Sequence, residues 1–481
     1  MRTITCAHLI EAADAPVERA RQIIIDGGNV LSVGPADQRQ DDPLFVMPAL
    51  VNAHDHGRPV RSSSIGAGNK PLEAWLHYLA LFPSVDPYAA TVVALSRAAL
   101  GGAGTVMNHY TRVQGRTDLP TEAAAVARAA RDVGVRVGFA VSLRDRNPIV
   151  YGPSEPLLAT LPASARAEIE KNLLRPALSP AASLALVDAV AAAAAGPMFD
   201  VQYGPNGAQW CSDAMLEAIA EASERSGRRI HMHLLESRYQ RAWADKAHPD
   251  GIVQHLDAIG LLSPRLTLAH CVWARPDELE LLAARGVTIV VNSSSNLHLR
   301  SGIAPVARMV AAGCRVALGV DGKALDEDDD ALRELRLAHL LHAGFGFAVG
   351  VSRETILQIA FGNGRKSVTN VDDGGAIGAG TPADLLLLDW AVLDDDGLRE
   401  DIDALDLVMT RATARHIREL IVNGRTVVKD GVVPGVDYPA ARAEVLAQMR
   451  SGAKSSAPLA AALPALDRAL AGYYETDGLC F

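Results

Sequence analysis

A chain of 481 residues, 49% hydrophobic and 21% charged, has the composition of a soluble globular protein with room for one large domain and a small accessory one. Its formal net charge of −10 argues against a nucleic-acid partner, because such surfaces are usually basic. The longest apolar run, Ala181 to Ala195, is broken by Ser183 and Asp188 and is too short to span a bilayer, so no membrane partner is expected.

The opening residues, Met1 to Ile10, show no signal-peptide h-region or cleavage site. Five scattered cysteines (Cys6, Cys211, Cys271, Cys314, Cys480) lack any Cys-x-x-Cys spacing, and Cys480 does not fit a prenylation box. Reduced thiols and a cytoplasmic location are the expectation.

In chain order, residues 1–45 read as short strands. Arg21–Ile25 and Val30–Val33 flank Asp26-Gly-Gly-Asn29, a hairpin signal. From Val46 strands alternate with helices. The strand candidates are Val46–His54, Thr105–Tyr110, Val135–Ser142, Phe199–Gly204, Arg229–Leu235, Arg265–His270, Val287–Asn292 and Arg315–Asp321. Helical patterns lie between them, among them Ala89–Leu100, Glu122–Val133, Asp213–Ser226, Gly251–Ile259 and Pro276–Ala284. This is the pattern of an α/β protein, a (β/α)8 TIM barrel spanning 46–370. The stretch from Asp145 to Pro180 is a lid or a surface insertion.

The acidic run Asp326-Glu-Asp-Asp-Asp330 precedes a helix, Ala331–His342, and the helix dipole accounts for most of it. Strand signals return at Ala383–Leu388, Ile417–Asn423 and Thr426–Lys429. Segments 1–45 and 371–437 are expected to form one small composite β-sandwich, and 438–481 a C-terminal helical extension.

In such a barrel, chemistry sits at the C-terminal ends of the strands. The first apolar run ends in His54-Asp-His56, two imidazoles on one face by the two-residue period of a strand. Alone, such a pair reads equally well as two solvated loop histidines. Other strand ends, however, supply His231-Met-His233, His270 and Asp321. Only one of the 231/233 pair need bind a metal, and His233 is nearer the strand end. A lone His or Asp there is usually structural, and an Asp often caps the next helix. Four such groups at four strand mouths are hard to assign to packing, since burying them unpaired costs several kcal/mol.

Three imidazoles and a carboxylate suit one divalent ion, which lowers the pKa of a bound water to about 7. Asp321 is positioned to ligate or to accept a proton; His270, to hold the hydroxide or polarise the group under attack. Glu236, just past a strand end and beside a candidate ligand, is placed for proton transfer, with a surface carboxylate as the lesser alternative. Candidate substrate contacts at strand mouths are Arg58, His109, Gln209, Trp210, Trp273, Asn296 and His298, with Asn108 as another loop candidate. For each, packing or loop capping is an equally good account.

The motifs Pro48-Ala-Leu-Val-Asn-Ala-His-Asp-His56, His231-Met-His-Leu-Leu-Glu236, Leu268-Ala-His-Cys271, Asn292-to-Gly302 and Gly319-Val-Asp-Gly322 resemble the amidohydrolase superfamily. The closer likeness is to its cytosine-deaminase-like and triazine-hydrolase branch. Gly380-Thr-Pro-Ala-Asp-Leu385 and Ile421-Val-Asn-Gly-Arg425 resemble its composite β unit. The resemblance implies His54, His56, His233 and Asp321 as ligands, Glu236 as acid/base, and His270 as the group orienting hydroxide or substrate. It implies one Zn²⁺, or Fe²⁺ in its place, a small-molecule substrate and a homodimer or larger assembly.

Two-metal relatives carry a bridging lysine on the fourth strand; Phe199–Gly204 has none, which favours one ion. Gly204-Pro-Asn206 and Lys323 with Asp326 depart from the relatives, so no one relative's substrate transfers. The expected activity is deamination of an aminated purine, pyrimidine, triazine or pterin ring. The alternatives are hydrolysis of a cyclic or exocyclic amide, displacement of another leaving group from a triazine-like ring, and a barrel that binds metal without turnover.

Overall fold

The computed structural model describes residues 1–36, 43–146, 149–174, 176–322, 326–399 and 401–476; Lys323 and Cys480 lie outside this set. Eight parallel strands follow one another round a barrel: Leu50–Asp55, Ala103–Tyr110, Arg136–Leu143, Phe199–Pro205, Ile230–Leu234, Leu266–His270, Thr288–Val291 and Arg315–Leu318. All six residues of the first are buried, as expected for a strand covered on both faces. The seam between last and first strands is closed by hydrogen bonds just beyond the ladder. Asp321 N donates to His54 O (2.9 Å), Val320 N to Asn52 Oδ1 (2.9 Å) and Gly322 N to Asp55 Oδ2 (3.0 Å). Closure therefore runs through the residues of the site.

The surrounding helices begin where capping chemistry dictates. Asp86, Asp118 and Ser212 each accept an N–H from three residues on, opening Pro87–Leu100, Leu119–Val133 and Asp213–Ser226. A short helix, Asn363–Thr369, plugs the barrel floor. Gly364 lies so close to the first strand that an added Cβ would meet that of Ala53 at 2.9 Å.

The run from Val46 to His54 is two strands, not one. Leu44–Pro48 belongs to a second sheet, and Leu50–Asp55 to the barrel. Pro48 has no N–H to continue a ladder, and the next two amides turn to different partners, Ala49 N to Asp384 O and Leu50 N to Gly102 O. The second sheet has seven strands in the order Arg425–Lys429, Ile417–Val422, Leu385–Asp389, Leu44–Pro48, Arg2–Ile10, Val17–Asp26, Asn29–Pro35. The strands form one hydrogen-bonded sheet that folds back on itself, so Ile4, Ile23, Ile25 and Val30 of the N-terminal strands share a core with Leu385, Leu387 and Ile421 of the C-terminal ones, and the expected composite unit is this folded sheet. Leu44–Pro48 joins the terminal halves, parallel to Arg2–Ile10 and antiparallel to Leu385–Asp389. Alternation sorts its faces: Val46, Leu385, Leu387 and Ile421 form one core, while Phe45, Met47, Leu386 and Leu388 pack with the barrel helices.

The eighth strand ends at Leu318, so Asp321 sits three residues into the following loop. The acidic run also differs from expectation. Only Asp330 caps the next helix. Asp329 pairs with Arg97 at 2.7 Å, Glu327 accepts from Ser62 Oγ at 2.8 Å, and Asp328 pairs with Arg333 at 3.3 Å. Asp329 and Glu327 are thus held by tertiary partners, while Asp328 pairs with Arg333 in the first turn of the helix itself.

A separate apolar cluster lies beside the barrel mouth. It joins Trp75 and Tyr78 of helix Leu72–Tyr78, Ile149, Leu157 and Ile169 of the insertion, and Leu459, Leu463, Leu466 and Leu470 of the terminal helix Ala457–Thr476. Those leucines recur at three- and four-residue spacing, a single helical stripe. Each contributes roughly 1.5–3 kcal/mol when fully buried. The insertion and the C-terminal helix are thereby fastened over the site. Among the described residues no helix is long and apolar enough to cross a membrane.

Candidate metal centre and active site

His54 is the last residue but one of the first barrel strand, and His56 lies one residue beyond its end. Asp55, between them, takes no part in the metal geometry. Its carboxylate accepts from His56 N (2.7 Å), Gly57 N (2.9 Å), Asn52 Nδ2 (2.8 Å) and Gly322 N (3.0 Å), which fixes the turn. Gly57 takes φ +58 against Asn108, whose amide nitrogen would lie 2.7 Å from an added Cβ.

Two backbone carbonyls set the imidazole tautomers. His56 Nδ1 donates to His109 O at 2.9 Å, and His233 Nδ1 to Asn206 O at 2.7 Å. A carbonyl only accepts, so both Nδ1 atoms carry protons and both Nε2 atoms present lone pairs. Those Nε2 atoms face each other at 3.4 Å, where neither can donate. Asp321 Oδ1 is 3.1 Å from His56 Nε2 and 3.5 Å from His54 Nε2. His54 Nε2 and Asp321 Oδ1 are buried without a hydrogen-bond partner. Such a convergence of acceptors is costly by itself and is relieved by a cation. His54, His56 and Asp321 offer ligand atoms within 4.8 Å of one another, as do His54, His233 and His270. The donor set fits a divalent ion.

Burial lowers His54 to about 4 and holds His233 well below the ordinary imidazole value, so both are neutral, the ligand form, at pH 7. Burial alone would raise the Asp321 carboxyl, but the His54 and His56 imidazoles close beside it outweigh that and hold it well below the ordinary carboxylate range. Ser295 Oγ donates to its other oxygen at 2.6 Å. His231, the other member of its pair, stands behind the ligands: its Nε2 is 2.7 Å from His54 Nδ1, with the rings stacked at 5.0 Å.

Opposite lie the two groups for proton transfer. Glu236 Oε2 is 3.5 Å from His270 Nε2, and Glu236 Oε1 accepts from Ser301 Oγ at 3.3 Å. Burial pushes the Glu236 carboxyl up to about 7, with His270 opposing and Asp321 and Glu73 adding to the rise. That is the value a general acid–base needs near neutral pH. His270 Nδ1 is held by Asn296 Oδ1 at 2.9 Å. Leu235, His270, Cys271 and Asp321 all have φ between 47° and 77°. Left-handed backbone at non-glycine residues costs about 1–3 kcal/mol each, and here it gathers at the strand ends that carry the reactive groups.

A cavity of about 800 Å³ opens over this centre and is lined by His56, His233, Glu236, His270 and Asp321. Of the predicted substrate contacts, Arg58 and Trp210 line it. Arg58 lies over the Trp75 ring (4.9 Å) and donates to Asp321 O (3.3 Å). The other six are not in its wall; Asn108 stands against Gly57. His109 sits behind the ligands, its Nε2 bonded to Gly204 O (3.0 Å). Asn296 holds His270. Gln209 is buried beside Trp210, Trp273 donates to Ser301 O (2.7 Å), and His298 ends the short helix Ser293–His298. The sequence reading missed Glu73, Trp75, Tyr151 and Tyr474, all in the wall. Nothing local marks them, because they come from a short helix, the insertion and the C-terminal helix.

The family model for amidohydrolases matches residues 45–427, and the chain belongs to that family. The 5'-deoxyadenosine deaminase of Methanosarcina barkeri is 33% identical over 245 residues, 51% of this chain, and the match spans about half (56%) of that relative's length. The 5'-deoxyadenosine deaminase of Methanopyrus kandleri is 27% identical over 455 residues, 91% of this chain and 96% of that one. Among solved structures, a zinc-bound adenosine deaminase from Xanthomonas campestris has a TM-score of 0.76 at 22% identity, covering 94% of this chain and 98% of that one. Zinc-complexed atrazine chlorohydrolase TrzN from Arthrobacter aurescens has a TM-score of 0.72 at 21% identity, covering 93% and 100%. These two likenesses establish the fold. The family resemblance and the barrel expected from the sequence both hold, and the chain is a hydrolase of carbon–nitrogen bonds other than peptide bonds.

Proposed function

We propose that the chain is a metal-dependent deaminase of an aminated N-heterocycle, with adenine nucleosides the first class to test. The observation that carries the reading is Glu236, buried, raised to about 7 and 3.5 Å from His270, beside a set of lone pairs that only a cation satisfies. The adenine-nucleoside deaminases among the relatives support the ring class.

His54, His56, His233 and Asp321 would hold one divalent ion, zinc in this reading. The ion supplies a Lewis acid that makes water nucleophilic near neutral pH. Glu236, as a carboxylate, takes a proton from the attacking water and returns it to the substrate, where the C–N bond breaks and ammonia leaves. His270, held by Asn296, orients the reacting group at its Nε2. Arg58 and Trp210 bind the substrate in the cavity wall. The balance is one water consumed, one amino group replaced by oxygen, and one ammonia released.

A cytoplasmic site of action is supported by free, buried Cys6, Cys211, Cys271 and Cys314. A homo-oligomer is supported by the apolar ribbon Gly344–Phe345/Ala348–Val349, where Phe345 and Phe347 stand fully exposed; light scattering tests it.

The deciding experiment is ammonia release by zinc-loaded protein from adenine nucleosides, aminopyrimidines, aminotriazines and pterins, with Glu236→Gln as control. Release from one scaffold, lost in the variant, is expected. Silence across the panel from metal-replete protein overturns deamination in favour of amide hydrolysis.

A further inference from the structure

One buried acid has no part in the chemistry above. Glu73, on helix Leu72–Tyr78, is 5% exposed and lies in the cavity wall. Its carboxylate accepts the hydroxyl proton of Ser237. Ser237 directly follows Glu236 and caps helix Arg238–Ala247, its Oγ accepting from Gln240 N at 3.3 Å. With that lone pair used, the single hydroxyl proton is directed at Glu73.

A second arm returns to the same residue. Glu236 N donates to Gln240 Oε1 at 2.9 Å, and Gln240 Nε2 donates to the Tyr151 hydroxyl at 3.4 Å. The Tyr151 hydroxyl lies close enough to Glu73 for the two to interact electrostatically. Two arms thus make a circuit between Glu73 and Glu236, a hydrogen-bonded one through Ser237 and a second through Gln240 and Tyr151. The C-terminal helix clamps it, since Tyr151 N donates to the Tyr474 hydroxyl at 3.1 Å.

The backbone entering Glu236 needs such support. Leu235 holds φ 51°, which costs about 1–3 kcal/mol for a residue with a side chain. From one side Trp273 N bonds Leu235 O (3.0 Å) and Cys271 N bonds Leu234 O (3.0 Å). The circuit supplies the other side. Glu73 belongs to neither group of converging ligand atoms, so holding a metal does not account for it.

We propose that Glu73 is a positioning residue for Glu236, fixing through Ser237 and the Tyr151–Gln240 arm where its carboxyl stands over the reacting carbon. This rests on Glu236 being the acid–base group. The test uses full-length, zinc-loaded Glu73→Gln and Glu73→Ala with the substrate that the ammonia panel identifies, together with a crystal structure of Glu73→Ala. Expected is a kcat lower by about tenfold or more with KM within about twofold, unchanged metal content and melting temperature, and a displaced Glu236 carboxyl. Because Glu73 acts through Glu236, Glu73→Gln added to Glu236→Gln should cost nothing further.

A raised KM at constant kcat, an additive loss in the double variant, a kcat loss tracked by a lower melting temperature, or an unmoved Glu236 carboxyl each overturns the proposal. Should both Glu73 variants fail to fold, Ser237→Ala cuts the same link and is read by the same measures. Loss of activity in Glu236→Gln without loss in Glu73→Gln overturns this proposal alone; no loss in Glu236→Gln overturns the reading beneath it.

Discussion

The two sides of the cavity are built on different plans. On the metal side, each ligand stands at or just past a strand end; main-chain carbonyls set the tautomers of two of them, His109 O for His56 and Asn206 O for His233, and His231 backs His54. On the acid–base side, Glu236 is held by side chains brought from far along the chain, Glu73, Tyr151, Ser301 and, through Tyr151, Tyr474. The first plan rests mostly on the main chain of the barrel, with His231 behind His54 as its side-chain support. The second depends on particular side chains from segments that are not part of the barrel, and it is where members of one fold can diverge.

The sharpest way to separate the two sides is to break each alone. His56→Ala is expected to leave metal content near zero and turnover at background, read by elemental analysis and ammonia release. Glu236→Gln should keep its metal and lose about 10²–10⁴-fold in kcat. If Glu236→Gln also lost metal, the two sides would not be independent.

The same variant has a stability signature. The folded protein holds the Glu236 proton up to about pH 7, well above the ordinary glutamate value of 4.5, so folding binds a proton between these limits. Stability from this group is therefore fully present below about pH 4.5 and is lost as pH rises towards 7. Metal-free Glu236→Gln should be more stable than the parent at pH 8, by up to about 3 kcal/mol, and no more stable near pH 4. Thermal melts at the two pH values check the sign.

Smaller effects probe the supports. His231→Phe removes the partner of His54 Nδ1 and should weaken metal binding about 10–100-fold, measured by competition with a chelator. Tyr474→Phe removes one hydrogen bond, worth roughly 1 kcal/mol, and should change kcat/KM by about fivefold with metal affinity untouched. A metal effect from Tyr474 would blur the contrast between the two sides.

This contrast also decides what the sequence could reveal. His54, His56, His233, His270 and Asp321 were legible because strand periodicity and the rule about strand ends are local signals. The same rule could not tell cavity wall from support. His109 and Asn296 lie at strand mouths yet face the backs of other site residues, a distinction of one side-chain direction. The run 46–54 read as one strand because apolar alternation does not say which sheet a residue joins; Pro48 was the only mark of the break. The acids at 326–329 had a sufficient local account in the helix dipole; Arg333, the partner of Asp326 and Asp328, is local too, but Arg97 and Ser62, the partners of Asp329 and Glu327, are distant in sequence. Glu73, Tyr151 and Tyr474 meet only because a leucine stripe docks the last helix over the insertion, and no window of sequence contains that event.

The seven-stranded sheet has a consequence for how the protein is made. Strand Leu44–Pro48 emerges early, but its partner Leu385–Asp389 is translated last but a few strands. At ribosomal rates of about 5–20 residues per second, Met47 waits roughly twenty to seventy seconds for Leu386. Throughout that time an apolar strand edge stays open to pairing with other nascent chains. Yield on expression should therefore respond to growth temperature and chaperone supply more than the stability of the finished protein would suggest, and a chain ending before Leu385 should be recovered as aggregate.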